Sequence, residues 1–216
     1  METPLVQPRQ PPKVSNRGQT RAFYVFTSRR LDRVIKVRSR LEYRACLHFE
    51  IQPDLRELAY EPQTYLVSAP SGDFSYTPDF EVVFNSDRRR TFIEVKYEKD
   101  LVDSKVSDKL DAWKRELPNY VDFQILTEAL LSSDYESNCR FVCRHGLLEG
   151  PLAEYQQGME RLRSLSSPIC LGDLVNATLP LPEVLRIGAT LHWEGRASLD
   201  LAAPIGPRTL LTWGRL

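Results

Sequence analysis

The sequence predicts an α/β protein: a mixed-sheet core, then a small domain of helices closed by a strand pair. Three observations carry this. Residues 80–84 and 91–97 are short β-type apolar runs, joined by the polar stretch Asn85-Ser86-Asp87-Arg88-Arg89-Arg90, which reads as a hairpin turn. Val102, Val106, Leu110, Trp113 and Leu117 then recur at helical spacing, and 121–127 returns to strand character. Beyond residue 150, three helical patterns precede two strand patterns. Helix, hairpin, strand, helix, strand is an order that a mixed sheet with packed helices accommodates.

Residues 1–20 contain Pro4, Pro8, Pro11 and Pro12 and read as a flexible Pro-rich leader. The segment 17–40 interleaves Phe23, Tyr24 and Phe26 with Arg29, Arg30, Arg33 and Lys36, and reads either as a DNA contact or as a solvated basic stretch. Ser39 opens an amphipathic helix that runs to about Phe49. Helix 102–117 packs its apolar stripe on the sheet, with Trp113 as core. Lys105 and Lys109, on a neighbouring face, meet phosphates or solvent. In strand 121–127, Phe123, Ile125 and Leu126 are partly buried, and 136–145 forms a short helix.

A boundary falls at 146–150. Leu152, Tyr155, Met159, Leu162 and Leu165 mark the next helix, which stops before Pro168. A short helix at 171–177 and another from Pro182 through Leu191 follow. The strands 197–201 and 209–213 are joined by Pro204-Ile205-Gly206-Pro207. Three helices and a hairpin describe a winged helix. It docks DNA or a partner, or is a plain packing domain, since few basic residues mark its would-be recognition helix. The expected division is a leader at 1–20, a core domain at 21–148 that includes the basic segment, and a winged-helix-like domain at 149–216.

Chemistry concentrates in Thr77-Pro78-Asp79-Phe80 and Ile93-Glu94-Val95-Lys96. In strand 91–97, Ile93, Val95 and Tyr97 share one face, and Phe92, Glu94 and Lys96 the other. A hairpin about Asp87 puts position 79 opposite position 95, with Asp79 beside the Glu94/Lys96 pair. Pro78 is tolerated because it precedes the ladder. Two carboxylates that close repel, and a divalent cation removes that cost; hard oxygen ligands suit Mg²⁺ or Mn²⁺. Such a cation lowers the pKa of bound water and offsets charge on the leaving oxygen. Lys96 orients the water or stabilises the charge that develops on a phosphate. The pattern points to a metal-dependent nuclease. An alternating Glu and Lys on a surface hairpin is the plainer reading, and the ordered set of PD, hairpin and ExK argues against it. A third acid is needed, and Glu42 is the best candidate. Ser39-x-x-Glu42 also has the form of a capping box, with Glu42 reaching back to the Ser39 amide, so both roles stand. Glu50, Glu57 and Glu61 read as solvated or structural.

Composition bounds the rest. The 216 residues carry 29 Lys/Arg and 29 Asp/Glu. Residues 1–40 hold ten basic and two acidic side chains, a balance of +8, which leaves −8 on the remainder. A neutral chain is a poor free-standing DNA binder. A basic arm on an acidic body suits local phosphate contact, or DNA delivered by partners. No apolar run reaches membrane length and the N-terminus lacks a signal-peptide core, which points to an intracellular protein. Cys46, Cys139, Cys143 and Cys170 form no CxxC pair. Cys139-x-x-x-Cys143-x-His145 lacks an evident fourth ligand, and buried reduced thiols are the better reading. His48 and His192 stand alone as packed or surface residues. No Gly-rich phosphate loop occurs, which argues against nucleotide hydrolysis.

Ser39-Arg40-Leu41-Glu42-Tyr43, Tyr60-Glu61-Pro62-Gln63, Tyr76-Thr77-Pro78-Asp79-Phe80 and Ile93-Glu94-Val95-Lys96 together resemble the TnsA family of transposon-end endonucleases. The resemblance spans roughly residues 25–210 and takes in Asn138 with 139–145. It implies a restriction-endonuclease-like PD-(D/E)xK core. By position, Glu42, Asp79, Glu94 and the Val95 carbonyl would hold Mg²⁺, with Mn²⁺ as a substitute, and Lys96 would serve the water. It also implies nicking of the 5′ strands at transposon-end DNA. A TnsB-like DDE transposase would cut and join the 3′ ends, and a TnsC-like ATPase regulator would link both to a target selector, in the bacterial cytoplasm. The rivals are another PD-(D/E)xK restriction or repair nuclease, and a non-catalytic subunit bridging transposase and regulator. The intact Glu42, Asp79, Glu94 and Lys96 argue against the second.

Overall fold

The computed structural model describes residues 23–69, 72–147 and 152–214, so the Pro-rich leader lies outside the described residues. Two compact units emerge: Met1–Cys46 with Asp54–Leu131, and Leu47–Pro53 with Ser132–Leu216.

In the first unit, β1 (Tyr24–Ser28) and β2 (Arg33–Val37) pair antiparallel, with Phe26 opposite Ile35. Phe26, Ile35 and Val37 are buried on one face, while Val25 and Lys36 are exposed on the other. The described part of the basic segment is therefore a half-buried two-stranded ribbon. Helix α1 (Arg40–Glu50) follows. The main sheet comprises β3 (Leu55–Tyr60), β6 (Phe80–Phe84), β7 (Arg90–Val95) and β8 (Val121–Leu126), in that spatial order. Its first two pairings are antiparallel and β7–β8 is parallel, so the sheet is mixed. A parallel neighbour requires a crossover, which α2 (Glu98–Leu101) and α3 (Ser104–Glu116) supply. A short hairpin of β4 (Tyr65–Val67) and β5 (Phe74–Tyr76) completes the unit.

Two expectations need correction. First, Val83 pairs with Arg90 and Phe80 with Ile93, so the ladder continues to Asp79 opposite Glu94, not Val95. The pairing is centred between Ser86 and Asp87. Arg88 takes a left-handed φ of +56° and donates its N–H to the Phe84 carbonyl (3.1 Å), while the Asp87 side chain accepts from Arg89 N (2.8 Å). This single-residue slip matters, because residues directly opposite in a sheet share a face. The observed register places Asp79 on the Glu94 face. Strand β7, central in the sheet, is buried at every position from Thr91 to Val95. Second, Val102 is 84% exposed. Asp103 caps α3 by accepting from Lys105 N, so the helix starts at Ser104 and Val102 stands before it. Leu110 and Trp113 are buried as expected, but Ile125 on β8 is 38% exposed.

The second unit contains α4 (Ser133–His145), α5 (Leu152–Arg163), β9 (Ile169–Cys170), a 3-10 turn at Leu171–Leu174, α6 (Leu181–Trp193), β10 (Ala197–Leu199) and β11 (Leu210–Trp213). The strands form an antiparallel sheet in the order β10-β11-β9. Asn138, buried on α4, clamps the β10–β11 connection. Its amide donates to the Leu201 (2.9 Å) and Ala203 (2.8 Å) carbonyls, and its oxygen accepts from Ile205 N (3.1 Å). Helix α4 belongs here and not with the nuclease-motif unit. It packs on α6, where Thr190 Oγ1 donates to the His145 carbonyl (3.2 Å) and a Cβ on Gly146 would meet Trp193 Cβ at 2.6 Å. The division at Leu131/Ser132 thus replaces the expected one at 148/149.

This has a testable consequence. Truncation after Glu149 removes α6 and the connection that Asn138 clamps, exposing Cys139 and Val142 on α4. We expect loss of the α4 helical signal in circular dichroism and an early melting phase. A truncated chain that melts in one transition at the full-length temperature would contradict this packing. Among the described residues, no helix is long and apolar enough to cross a membrane.

Candidate active site

The site grows from the neighbouring ends of β6 and β7. Asp79 stands one residue before β6, and its Oδ2 accepts from Val95 N (2.7 Å), so the side chain extends the ladder where the backbone pairing stops. Its own carbonyl accepts from Glu61 N (2.8 Å). The preceding Thr77 is tied to Thr64 through their hydroxyls (2.7 Å). Glu94, on central strand β7, is only 4% exposed. Its Oε1 pairs with Lys96 Nζ at 2.7 Å and its Oε2 accepts from the Tyr76 hydroxyl at 2.5 Å. Lys96 follows β7, and its N–H donates to the Leu126 carbonyl at the end of β8 (3.1 Å).

Glu42 arrives from the first turn of α1. Ser39 Oγ accepts from Glu42 N (3.1 Å), so Ser39 is the N-cap. The reciprocal half of the box is shifted by one residue: Glu42 Oε2 accepts from Arg38 N (2.8 Å), and also from the Tyr60 hydroxyl (2.8 Å). Both donors use one oxygen and leave Oε1 for another ligand. Arg38 also pairs with Glu61 at 2.7 Å. Glu61 holds a left-handed φ of +44°, a conformation that costs a non-glycine residue roughly 1–3 kcal/mol and clusters at functional sites. Its backbone anchors Asp79 while its carboxylate holds Arg38, whose N–H in turn holds Glu42.

Electrostatics follow from this crowding. Burial, then the neighbouring charge of Glu94, pushes the Asp79 carboxyl up to about 7; Lys96 and the Val95 N–H oppose the shift, and Glu42 adds to it. Burial alone would lower the Lys96 ammonium, but Glu94, Asp79 and Glu42 outweigh it and raise the pKa. Burial, then Glu94, keeps the Tyr76 hydroxyl protonated. Burial, then Glu42, does the same for Tyr60. The structure therefore brings Glu42, Asp79, Glu94 and Lys96 into one electrostatic cluster. As the side chains stand, no three acidic, histidine or cysteine groups among the described residues form a cage that could hold a metal ion. The carboxylate oxygens are turned to internal donors: Val95 N, Lys96 Nζ, Tyr60, Tyr76 and Arg38 N. The donor chemistry is nonetheless that of a hard cation. All the donors are oxygens, and the repulsion that raises Asp79 is the imbalance a cation relieves.

Residues 43–128 match the family described as TnsA-like endonuclease N terminal. Over these residues the chain is similar to a TnsA-like endonuclease domain. The match contains Asp79, Glu94, Val95 and Lys96 and begins one residue after Glu42. The mixed α/β arrangement of the TnsA-like domain fits a restriction-endonuclease-like fold, and the domain suggests nuclease activity in a transposition context. No curated protein matches the chain.

Sequence reasoning gave no role to Tyr60, Tyr76 or Arg38, and its reading of Glu61 as solvated or structural agrees with the Arg38 pair. No local rule marks a phenol whose partner lies 18 positions away, as for Tyr60–Glu42 and Tyr76–Glu94. The other polar residues singled out from sequence lie elsewhere. Glu50 is buried on α1, and Glu57 pairs with Arg56 (3.2 Å). Lys109 Nζ stands 5.7 Å over the Phe74 ring. Cys139 is fully buried, with its thiol pushed up to about 12 mainly by burial, which suits a packed and unreactive residue. His48 Nδ1 meets the Tyr135 hydroxyl at 2.7 Å within the second unit.

The two roles of Glu42 are separable. Glutamine keeps a side-chain oxygen for Arg38 N and Tyr60, so Glu42→Gln should leave the unfolding free energy within about 0.5 kcal/mol of wild type, the scale of a surface substitution. The same change removes the charge a cation would bind, so the Mg²⁺ requirement for cleavage should rise about ten-fold or more, the scale of a weakened metal site. Superimposable Mg²⁺ titrations for the two proteins would leave Glu42 a helix cap alone.

Proposed function

We propose that this chain is a Mg²⁺-dependent DNA endonuclease that nicks the 5′ strands at transposon ends within a multi-subunit cut-and-paste transposase. The observation that carries the reading is the convergence of Asp79, Glu94 and Lys96 at the neighbouring ends of β6 and β7, inside the region that matches the TnsA-like domain. Asp79, Glu94, the Val95 carbonyl and Glu42 would hold the cation, and Mn²⁺ would substitute. When bound, it supplies Lewis acidity toward the phosphodiester and a lower pKa for water. The chain's own groups do the rest. Val95 N fixes the Asp79 carboxylate, the α1 cap and Tyr60 fix Glu42, and Lys96 offers its ammonium to the charge that develops on phosphate oxygens.

The second unit is proposed as a winged-helix-like docking module. From α5 onward its order is helix, strand, 3-10 turn, helix and two strands, with the last strand central in the sheet, which supports that reading. In this assignment α6 is the would-be recognition helix. It buries Val184, Ile187, Gly188, Ala189, Thr190, Leu191 and Trp193, and Arg186 is paired with Glu183. So occupied a helix is ill-suited to reading bases. The module is better assigned to a TnsB-like transposase or a TnsC-like ATPase, in a bacterial cytoplasmic complex.

The test is strand-specific nicking of labelled transposon-end duplex by the full chain, with and without the partner transposase, in Mg²⁺ and in chelator. We expect 5′-strand nicks only with Mg²⁺ and partner, because a chain of zero net charge gains little affinity from phosphate contact alone. Efficient site-specific cutting by the isolated chain at physiological salt would point to an autonomous restriction-type enzyme.

A further inference from the structure

Glu94 is the most buried acid of the site, so its orientation must be set from within the protein. Two groups set it. Lys96 Nζ holds Oε1 at 2.7 Å, and the Tyr76 hydroxyl holds Oε2 at 2.5 Å. A hydroxyl that donates to a carboxylate makes a charge-assisted hydrogen bond, stronger than one between neutral groups. The Tyr76 ring is itself fixed. It lies 4.8 Å from Trp113, which also meets Tyr65 at 5.0 Å and Phe92 at 5.5 Å. Trp113 comes from α3, Tyr65 from β4 and Phe92 from β7, so three elements hold one phenol in place. Tyr65 provides an internal contrast: its ring packs in the same cluster, but the charged groups that act on its hydroxyl are Arg90 and Glu81, not Glu94.

We propose that Tyr76 is a positioning residue of the metal site, fixing Glu94 Oε2 so that Oε1 is presented to Lys96 and to the cation; this rests on the metal-dependent nuclease reading. The aromatic cluster between β4, β7 and α3 then has a second role beyond burial, as the support that aims a ligand. Loss of a group that orients a metal ligand typically lowers metal affinity or activity by about 10–100-fold.

The test uses the full chain and Mn²⁺. Tyr76→Phe keeps the ring and removes only the hydroxyl. Calorimetric Mn²⁺ affinity should fall about ten-fold or more, with no comparable change in melting temperature. In the assembled cleavage reaction kcat should fall while KM for DNA stays near wild type, and high Mn²⁺ should restore part of the rate. Tyr65→Phe should leave Mn²⁺ affinity unchanged, and Asp79→Ala should abolish binding. Suppose wild type binds Mn²⁺, Asp79→Ala does not, and Tyr76→Phe matches wild type: the positioning role is then overturned and the nuclease reading stands. Equal weakening by Tyr65→Phe and Tyr76→Phe would assign the effect to cluster packing and overturn the proposal as well. No Mn²⁺ binding by wild type would remove the metal site itself, and the proposal with it.

Discussion

Asp79→Asn should abolish metal-dependent cleavage and, in metal-free buffer at pH 8, raise the melting temperature. The two effects share one cause. The carboxylate is held inside the protein beside Glu94, and its pKa is pushed up to about 7 by burial first and by that neighbour second. A carboxyl whose pKa is higher folded than unfolded binds its proton more tightly in the fold. Its contribution to stability is therefore largest below the unfolded value near 4 and falls as pH rises through about 7. Asparagine keeps an oxygen for Val95 N, which Asp79 Oδ2 now occupies at 2.7 Å, and removes the charge. The variant's stability should lack the wild-type decline between about pH 4 and 7. Cleavage should fall at least about a hundred-fold, the scale of losing one electrostatic contact in a preorganised site. Asp79→Ala should be equally inactive. Thermal melts from pH 4 to 8 and nicking assays in the assembled reaction check both halves. Normal nicking by purified Asp79→Asn would sink the assignment of this residue.

Lys96→Met should be as inactive as Asp79→Asn but shift stability the other way. The ammonium is bonded to Glu94 through Oε1 at 2.7 Å, and Glu94 is almost fully buried. Breaking such a pair leaves a buried charge, at a cost of as much as about 3 kcal/mol. Methionine retains the alkyl stem, so the loss is one of charge and not of packing. The rate should fall by about 10²–10³, with DNA affinity nearly unchanged because one ammonium adds little to binding. Single-turnover cleavage below the melting temperature, together with DNA affinity, tests this. A variant that binds DNA weakly but cuts at the wild-type rate once saturated would make Lys96 a phosphate-binding residue. One inactive variant that is more stable than wild type and one that is less stable would together separate chemistry from folding.

Much of the candidate site was legible along the chain. Asp79 after Pro78, and Glu94 two residues before Lys96, stand on segments whose strand character is local, and β6 runs as expected from Phe80 to Phe84. The capping motif located the start of α1 to within one residue. What failed did so where local pattern competes with context. Spacing alone favoured Val102 as core, yet the Asp103 cap starts the helix beyond it. The ribbon at β1–β2 was hidden because Arg33 and Lys36 interrupt the apolar signal of Ile35 and Val37.

The sequence by itself determined the chemistry on offer: which acids and which lysine, on which strands, in a mixed α/β protein with a second module of helices and short strands. Those properties are local, set by side-chain type and by periods of two and 3.6 residues. Tertiary structure alone decided how that chemistry is held. The turn at Asp87–Arg88 chose the register that puts Asp79 on the Glu94 face, a difference of one residue that composition does not encode. Tyr60 and Tyr76 reached Glu42 and Glu94 across 18 positions because β3 and β5 fold them there. The α4 helix joined the second unit because its Asn138 and Gly146 contacts lie in residues 190–205. Burial and charge proximity, which shift Asp79 and set the Lys96 pair, exist only after distant segments meet.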